Sequence, residues 1–328
     1  MLPHEREARA PYVDYMRPQG LSMIERPTYA PYRWAAADFQ LGLRPARRDQ
    51  WILVSRNYPE VMREKRARLR DRERFYKTLS ESLDVQHELY RRVVEHLVTD
   101  HAVAFALEGH TLVSRIDGAR VAVDDEEPLW QLSQMIEEDF MLLQELNGAL
   151  TITATSNAYS SSGRLVAAVG HDVSWAHIPV PLLTEKLGTR ISRVLGSVHE
   201  SAPCERFNWA VTPMATLFFP HDKPHQANAE AMHRVLALLR ERPERAGELL
   251  FVRVERQTLS RLPESKGLAF SLHTYSDPLS SLESDPGSAG AMLKLLEAYS
   301  EQRWHYSEME IVREPLLAYL QSVAATTA

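Results

Sequence analysis

The sequence predicts an α+β fold. Three observations carry this prediction. Strand and helix patterns are mixed without the strict βαβ alternation of a parallel sheet. Two alternating segments near each other in the second half read as an antiparallel pair. Amphipathic stretches then run to the C-terminus. The chain has 328 residues, 44% of them apolar and 25% charged, the balance of an ordinary globular protein able to bury a sizeable core.

Residues 1–50 are rich in Pro, Tyr and Arg, as in "RPTYAPYRWAAADF" (Arg26 to Phe39), and read as an extended arm packed by its aromatics. From about Pro59 to Asp100 the pattern is helical, with Leu89, Val93 and Leu97 at i, i+4 and i+8 and Val94 beside them. The run from Arg63 to Arg74 mixes both signs and reads as a solvated helix face. Short apolar segments at 102–107 and 120–123 flank the turn "IDGAR". "EPLWQLSQMIEEDFMLLQEL" (Glu127 to Leu146) is expected to be a helix, with Glu138 and Asp139 as solvated acids on it. "GALTITAT" (Gly148 to Thr155) alternates like a strand, and "YSSSG" breaks it.

"WAVTPMATLFF" and "ELLFVRVERQTL" are β-rich. Period-two geometry puts Val252 and Val254 on one face of the latter and Arg253, Glu255 and Gln257 on the other. In "GLAFSLHTY", Leu268, Phe270 and Leu272 share one face, and Ser271, His273 and Tyr275 the other. Segments around 289–300 and 307–323 read as closing helices, with Pro315 starting or kinking the last.

Bulk properties narrow the function. A net charge of −6 argues against a general nucleic-acid binder. No apolar run approaches the ~20 residues of a membrane span, and "MLPHEREARA" lacks an apolar signal core, so a cytoplasmic location is expected. Cys204 is the only cysteine. An internal disulfide, a Cys₄ iron–sulfur cluster and a Cys-rich zinc site are therefore excluded within this chain. Neither G-x-G-x-x-G nor a P-loop is present, so electrons for any redox chemistry are expected from elsewhere.

"SWAHIPVP" (Ser174 to Pro181) is the most suggestive stretch. Pro179 and Pro181 stiffen the backbone leaving His177, which lets its imidazole be aimed at small entropic cost. The residues alone leave two readings open, a structural histidine or an axial ligand to haem iron. His171 lies six residues earlier, and His221 and His225 form "HDKPH", where Pro224 argues against a helical metal pair. Arg253, Glu255 and Gln257 either face a polar ligand or form a solvated face with cross-strand ion pairs. Arg206, Asn208 and Trp209 in "ERFNWAVTP" could hold a carboxylate, or serve as a turn and its cap.

In order, "YAPYRW", "WILVSRNYPEVMREKR", "IEEDFMLL", Gly170 ahead of "HIPVP", "RFNW", "RVERQTLSRLP" and "FSLHTY" resemble the haem-dependent oxidative N-demethylase family over residues 25 to 320. The resemblance implies a PAS-like antiparallel sheet with flanking helices. It implies a haem-binding catalytic domain over 51–325 with the arm of 1–50 packed on it. It further implies one haem b whose iron is ligated by His177, with O₂ as co-substrate and no flavin or iron–sulfur centre in this chain. It also implies oxidation of a small amine, at the C–H beside nitrogen or at nitrogen itself, to aldehyde and dealkylated amine, with electrons from partner reductase subunits. By position in the motifs, Arg206, Asn208, Trp209 and Arg256 fall to cofactor binding, and Arg253, Glu255 and Gln257 to catalysis. Ala168 stands where the family has a lysine, and "NAYSSSGRLVAAV" lacks its Pro-Ser-x-Trp wording. The expected substrate is accordingly a small amine or an amino-acid-like molecule. Other readings of the same residues are a non-catalytic PAS-like sensor of haem or a small molecule, a haem-free subunit of an oxidoreductase complex, and a peroxide-driven haem enzyme.

Overall fold

The computed structural model describes residues 27–37, 42–122, 126–159, 165–173, 175, 195–200, 203–215, 217 and 226–325. The strands are β1 (Arg44–Pro45), β2 (Tyr76–Thr78), β3 (Phe105–Glu108), β4 (Thr111–Ser114), β5 (Arg120–Ala122), β6 (Asp139–Leu146), β7 (Ala149–Ser156), β8 (Cys204–Thr212), β9 (Phe251–Arg261) and β10 (Leu268–Pro278). The main helices are α1 (Tyr58–Leu69), α2 (Leu83–Asp100), α3 (Pro128–Ser133), α4 (Gln226–Glu241), α5 (Pro286–Glu297), α6 (Glu301–Tyr306) and α7 (Arg313–Ala325). Seven strands form an antiparallel sheet in the order β1-β8-β9-β10-β6-β7-β2, and β3-β4-β5 form a second sheet. The fold is α+β, as the mixed pattern predicts.

The chain divides into two compact units, a larger one from Leu43–Arg206 and Arg256–His273, and a smaller one from Met1–Gly42, Phe207–Glu255 and Thr274–Ala328. In the larger unit the predicted stripe Leu89, Val93 and Leu97 is fully buried, packed with Ile52, Met62, Phe105, Leu132 and Leu142. The single long helix expected over 59–100 is interrupted. Tyr76, Lys77 and Thr78 leave the helical path to pair with Ser156, Thr155 and Ala154 of β7, and these sheet bonds override local propensity. The expected helix over 127–146 is also corrected. It ends at Ser133, and Asp139–Leu146 is a strand between β10 and β7. Phe140 to Leu143 are buried on both faces, and such a central strand reads as a continuous apolar run rather than an alternation.

In the larger unit the β9–β10 hairpin is fixed by Leu262 N–H donating to Gly267 O at 2.8 Å and by the Thr258 and Ser271 hydroxyls bonded at 2.5 Å. Within the larger unit this sets Arg256 opposite His273. Across the next pair Leu272 faces Asp139, so His273 comes beside Glu138.

The smaller unit closes with the expected helices. Asp285 caps α5 by accepting from Ser288 N–H, and Pro286 occupies the first turn, where its missing N–H costs nothing. Pro315 lies in the first turn of α7 and starts that helix rather than kinking it. Met292, Leu296, Leu316, Leu320 and Trp304 are buried there. Of the arm, Tyr29 packs on Phe207 and Tyr275 at 5.1 and 5.5 Å between ring centres, and Tyr32 meets Trp209 edge-on at 5.6 Å.

Gly267 turns the hairpin against α2, and a Cβ there would lie 2.8 Å from a Val85 methyl. Gly267→Ala is expected to destabilise the protein by about 1–3 kcal/mol through overpacking. Urea unfolding measures this, and an unchanged midpoint would show that the turn can yield.

Candidate functional site

Of the sequence-predicted residues, His177 lies outside the described residues, as do His221 and His225. The chain leading towards it is described to Val173. Gly170 has φ +99°, a conformation L side chains rarely adopt. There its N–H donates to Ile152 O (2.9 Å), Ile152 N–H donates to His171 O (2.9 Å), and Val173 N–H donates to Leu150 O (3.0 Å). Residues 170–173 are thus bonded along β7. His171 is exposed and stacks on Trp175, with ring centres 4.6 Å apart.

In the smaller unit, Arg253 and Glu255 leave the same face of β9 and form a buried ion pair of 2.6 Å. Arg253 also donates to Leu217 O at 3.1 Å. On β8, Asn208 is exposed and Trp209 points to the opposite face, against Tyr32. Buried Asp277 receives Thr28 N–H at 2.7 Å and Thr28 Oγ1–H at 3.0 Å. Burial pushes its carboxyl up to about 6 despite these bonds.

In the larger unit, Arg206 and Gln257 are half-buried, and Arg256 is only 1% exposed. Arg256 belongs to a row of buried charges that local patterning did not anticipate. Arg44 Nε donates to Glu205 Oε1 and Arg256 Nε to Glu205 Oε2, both at 2.8 Å. Arg256 faces His273 across the hairpin, and His273 Nδ1 lies 3.0 Å from Glu138 Oε1. The row therefore crosses β1, β8, β9 and β10 and ends just before β6. Residues 50–55 run over it. The carbonyls of Gln50 and Trp51 accept from Arg256 at 2.6 and 3.4 Å. The amide of Leu53 donates to Glu138 Oε1 at 2.7 Å, and the amide and hydroxyl of Ser55 donate to Glu137 at 2.7 and 2.6 Å.

The acids expected on a solvated helix face are thus buried. Glu137, Glu138 and Asp139 are each at most 2% exposed. Lys65, in the run expected to be solvated, is 0% exposed. Its ammonium sits 3.1 Å from Asp139 Oδ1 and donates to the carbonyls of Glu137 and Glu138. The sequence signal that could have found these residues is "EED" set between the apolar runs "QMI" and "FMLL", since a strand entering a core buries whatever precedes it.

The electrostatics follow from burial and pairing. Burial raises Glu137 above the usual carboxylate range, outweighing His273 and the Ser55 bonds. Burial would raise Glu138 too, but the charge and hydrogen bond of His273, with the Leu53 amide, hold it below that range. Burial would lower His273, but Glu138 and then Glu137 outweigh it and raise the imidazole.

Among the described residues, no group of three or more His, Cys, Asp or Glu is placed to hold a metal ion. An open cleft of about 650 Å³ in the larger unit is bordered by Gln144, Glu145, Arg261 and Lys266. Arg261 donates to the carbonyls of Leu195 and Val198, and Lys266 pairs with Glu200, so its cations already have protein partners.

The model of the family haem-dependent oxidative N-demethylase, alpha subunit-like, matches residues 42–317, and the chain belongs to that family, whose name marks it as haem-dependent. Haem needs a ligand with a ring nitrogen to give, and donors for its carboxylates. The ring nitrogens of His273 face Glu137 and Glu138. Those of His96 meet Asp100 and the Ile52 backbone. Arg206 is half-buried and Asn208 exposed, and His177, the remaining motif residue for a haem, lies outside the described residues. No described helix is long and apolar enough to cross a membrane.

Lys65→Met strands Asp139 and two buried carbonyls, and a stability loss of about 3–5 kcal/mol is expected in urea unfolding. A loss below about 1 kcal/mol would show that the ammonium is not what holds this segment. Asp277 binds its proton more tightly folded than unfolded. It therefore contributes stability on the order of 3 kcal/mol below its ordinary 3.8, lost as pH rises through about 6. Asp277→Asn should flatten the stability–pH curve between pH 4 and 6 relative to wild type.

Proposed function

We propose that the chain is the haem-carrying catalytic subunit of an amine oxidase system. It binds haem b through His177 and uses O₂ to oxidise a small amine at the carbon beside nitrogen. The family match over residues 42–317 supports this reading, since it includes the His-x-Pro-Val-Pro stretch. The overall change is R₂N–CH₃ + O₂ + 2e⁻ + 2H⁺ → R₂NH + CH₂O + H₂O. The C–H bond beside nitrogen is oxidised, one oxygen atom leaves in the aldehyde, and the other leaves as water. Bound haem would supply O₂ activation. The two electrons come from a partner reductase, since this chain has neither a dinucleotide motif nor the cysteines for an iron–sulfur centre.

In this reading residues 51–325 are the PAS-like haem-binding domain and 1–50 its arm. Arg206 and Asn208 meet the haem carboxylates. Glu255 attracts the cationic amine, with Arg253 fixing its carboxylate and Gln257 adding a hydrogen-bonding group on the same strand face. Trp209 and Arg256 act at one remove, each setting the strand that carries those residues. An amino-acid-like amine is the alternative substrate class, following the departures at Ala168 and 157–169.

His177→Ala tests the assignment. The variant is expected to keep its far-ultraviolet circular dichroism and lose its Soret band after incubation with hemin, while wild type binds one equivalent. A variant with full haem content and an unchanged spectrum would overturn the ligand assignment.

A further inference from the structure

We propose that His273 is a proton-operated latch: while its ring carries a proton, residues 50–55 stay seated on Glu137 and Glu138, and when the proton leaves, that segment lifts from Arg256.

The geometry carries this. His273 is 3% exposed and stands between three groups, Arg256 of β9 on one side and Glu138 and Glu137 on the other, at 3.0 and 3.8 Å from the carboxylates. From residues 50–55 no titratable side chain is bonded to the row. That segment offers the Gln50 and Trp51 carbonyls to Arg256 and the Leu53 and Ser55 amides, with the Ser55 hydroxyl, to the two glutamates. Beyond Arg256 lie Glu205 and Arg44, and beyond the glutamates Asp139 and Lys65, each already in an ion pair. The second oxygen of Glu138 has no hydrogen-bond partner among the described residues, so the His273 proton is what balances that buried carboxylate.

The row reads Arg44⁺, Glu205⁻, Arg256⁺, His273⁺ and Glu138⁻, with Glu137 next to it, so the imidazolium is favoured by the two glutamates and opposed by Arg256. Removing the proton leaves Glu138 with the Leu53 amide and the one N–H of a neutral imidazole, but it takes away the positive charge beside the two buried glutamates and the ring proton on the side of Glu137. Water is then the better partner for them, and the way for water to reach them is for the covering segment to rise. Because the folded imidazole binds its proton more tightly than an exposed one, seating is complete at lower pH and is lost as pH rises through its raised value.

Amide hydrogen exchange at Leu53 and Ser55 reads the latch directly, because both amides bond to the row. Protection factors corrected for intrinsic exchange should fall with rising pH, approaching about tenfold per pH unit, the limit for one proton. Reference amides in α2 should stay level over the same range. His273→Gln should flatten the slope. Glu138→Gln, which removes the partner that raises His273, should move its onset to lower pH. A level profile in wild type, a slope that survives His273→Gln, or an onset unmoved in Glu138→Gln would each overturn the proposal. The readout is independent of haem, so it fails or succeeds separately from the functional reading above.

Discussion

The guanidinium of Arg256 organises the larger unit. It is almost wholly buried on a central strand, and a buried charge is tolerable only when its partners are all in place. Glu205 supplies one partner and the carbonyls of residues 50 and 51 supply the rest. Glu205 then fixes β1 through Arg44, and residues 50–55 are carried on to Glu138 and Glu137. Those two glutamates lead into β6, where Lys65 ties α1 to the same stretch. One ionic constraint thus sets the register of several elements that are far apart in the sequence. Apolar area alone would not do this, since hydrophobic burial is non-directional.

That constraint explains which parts of the fold the sequence disclosed. β7, β9 and β10 alternate along their length, and α2 has a clean apolar stripe, so period and type agreed. β6 is buried on both faces, and its apolar run matched a helix as well as a strand. Lys65 and the acids at 137–139 looked like solvated charge because their partners lie 72 to 135 residues away along the chain. No local window contains such pairs. Over 27–37 the arm's aromatics do meet other rings, Tyr29 on Phe207, Tyr32 on Trp209 and the half-exposed Trp34 on Phe207.

The candidate site divides similarly. The alternation of β9 foretold that Arg253 and Glu255 share a face, and they form an ion pair there. It did not foretell that Arg256, on the other face, would be held by main-chain carbonyls of residues 50 and 51. Gly170 was visible only as part of a motif. Its positive φ and its bond to β7 give the motif a physical reason, because a side chain at that position would strain the turn just ahead of "HIPVP". His177 itself lies outside the described residues, and its proposed role rests on the motif and on family membership rather than on packing.

The proposed account, in which this chain supplies the haem protein and a partner supplies electrons, rests on family membership. The rival account is a sensor that binds haem and gas but turns nothing over. Aldehyde formation separates them. Haem-loaded protein given O₂, a chemical or protein reductant and a panel of small N-methyl amines should release aldehyde in step with amine-dependent O₂ uptake, one for one. Protein that binds O₂ and one of these amines yet yields no aldehyde under any of these donors would contradict the account.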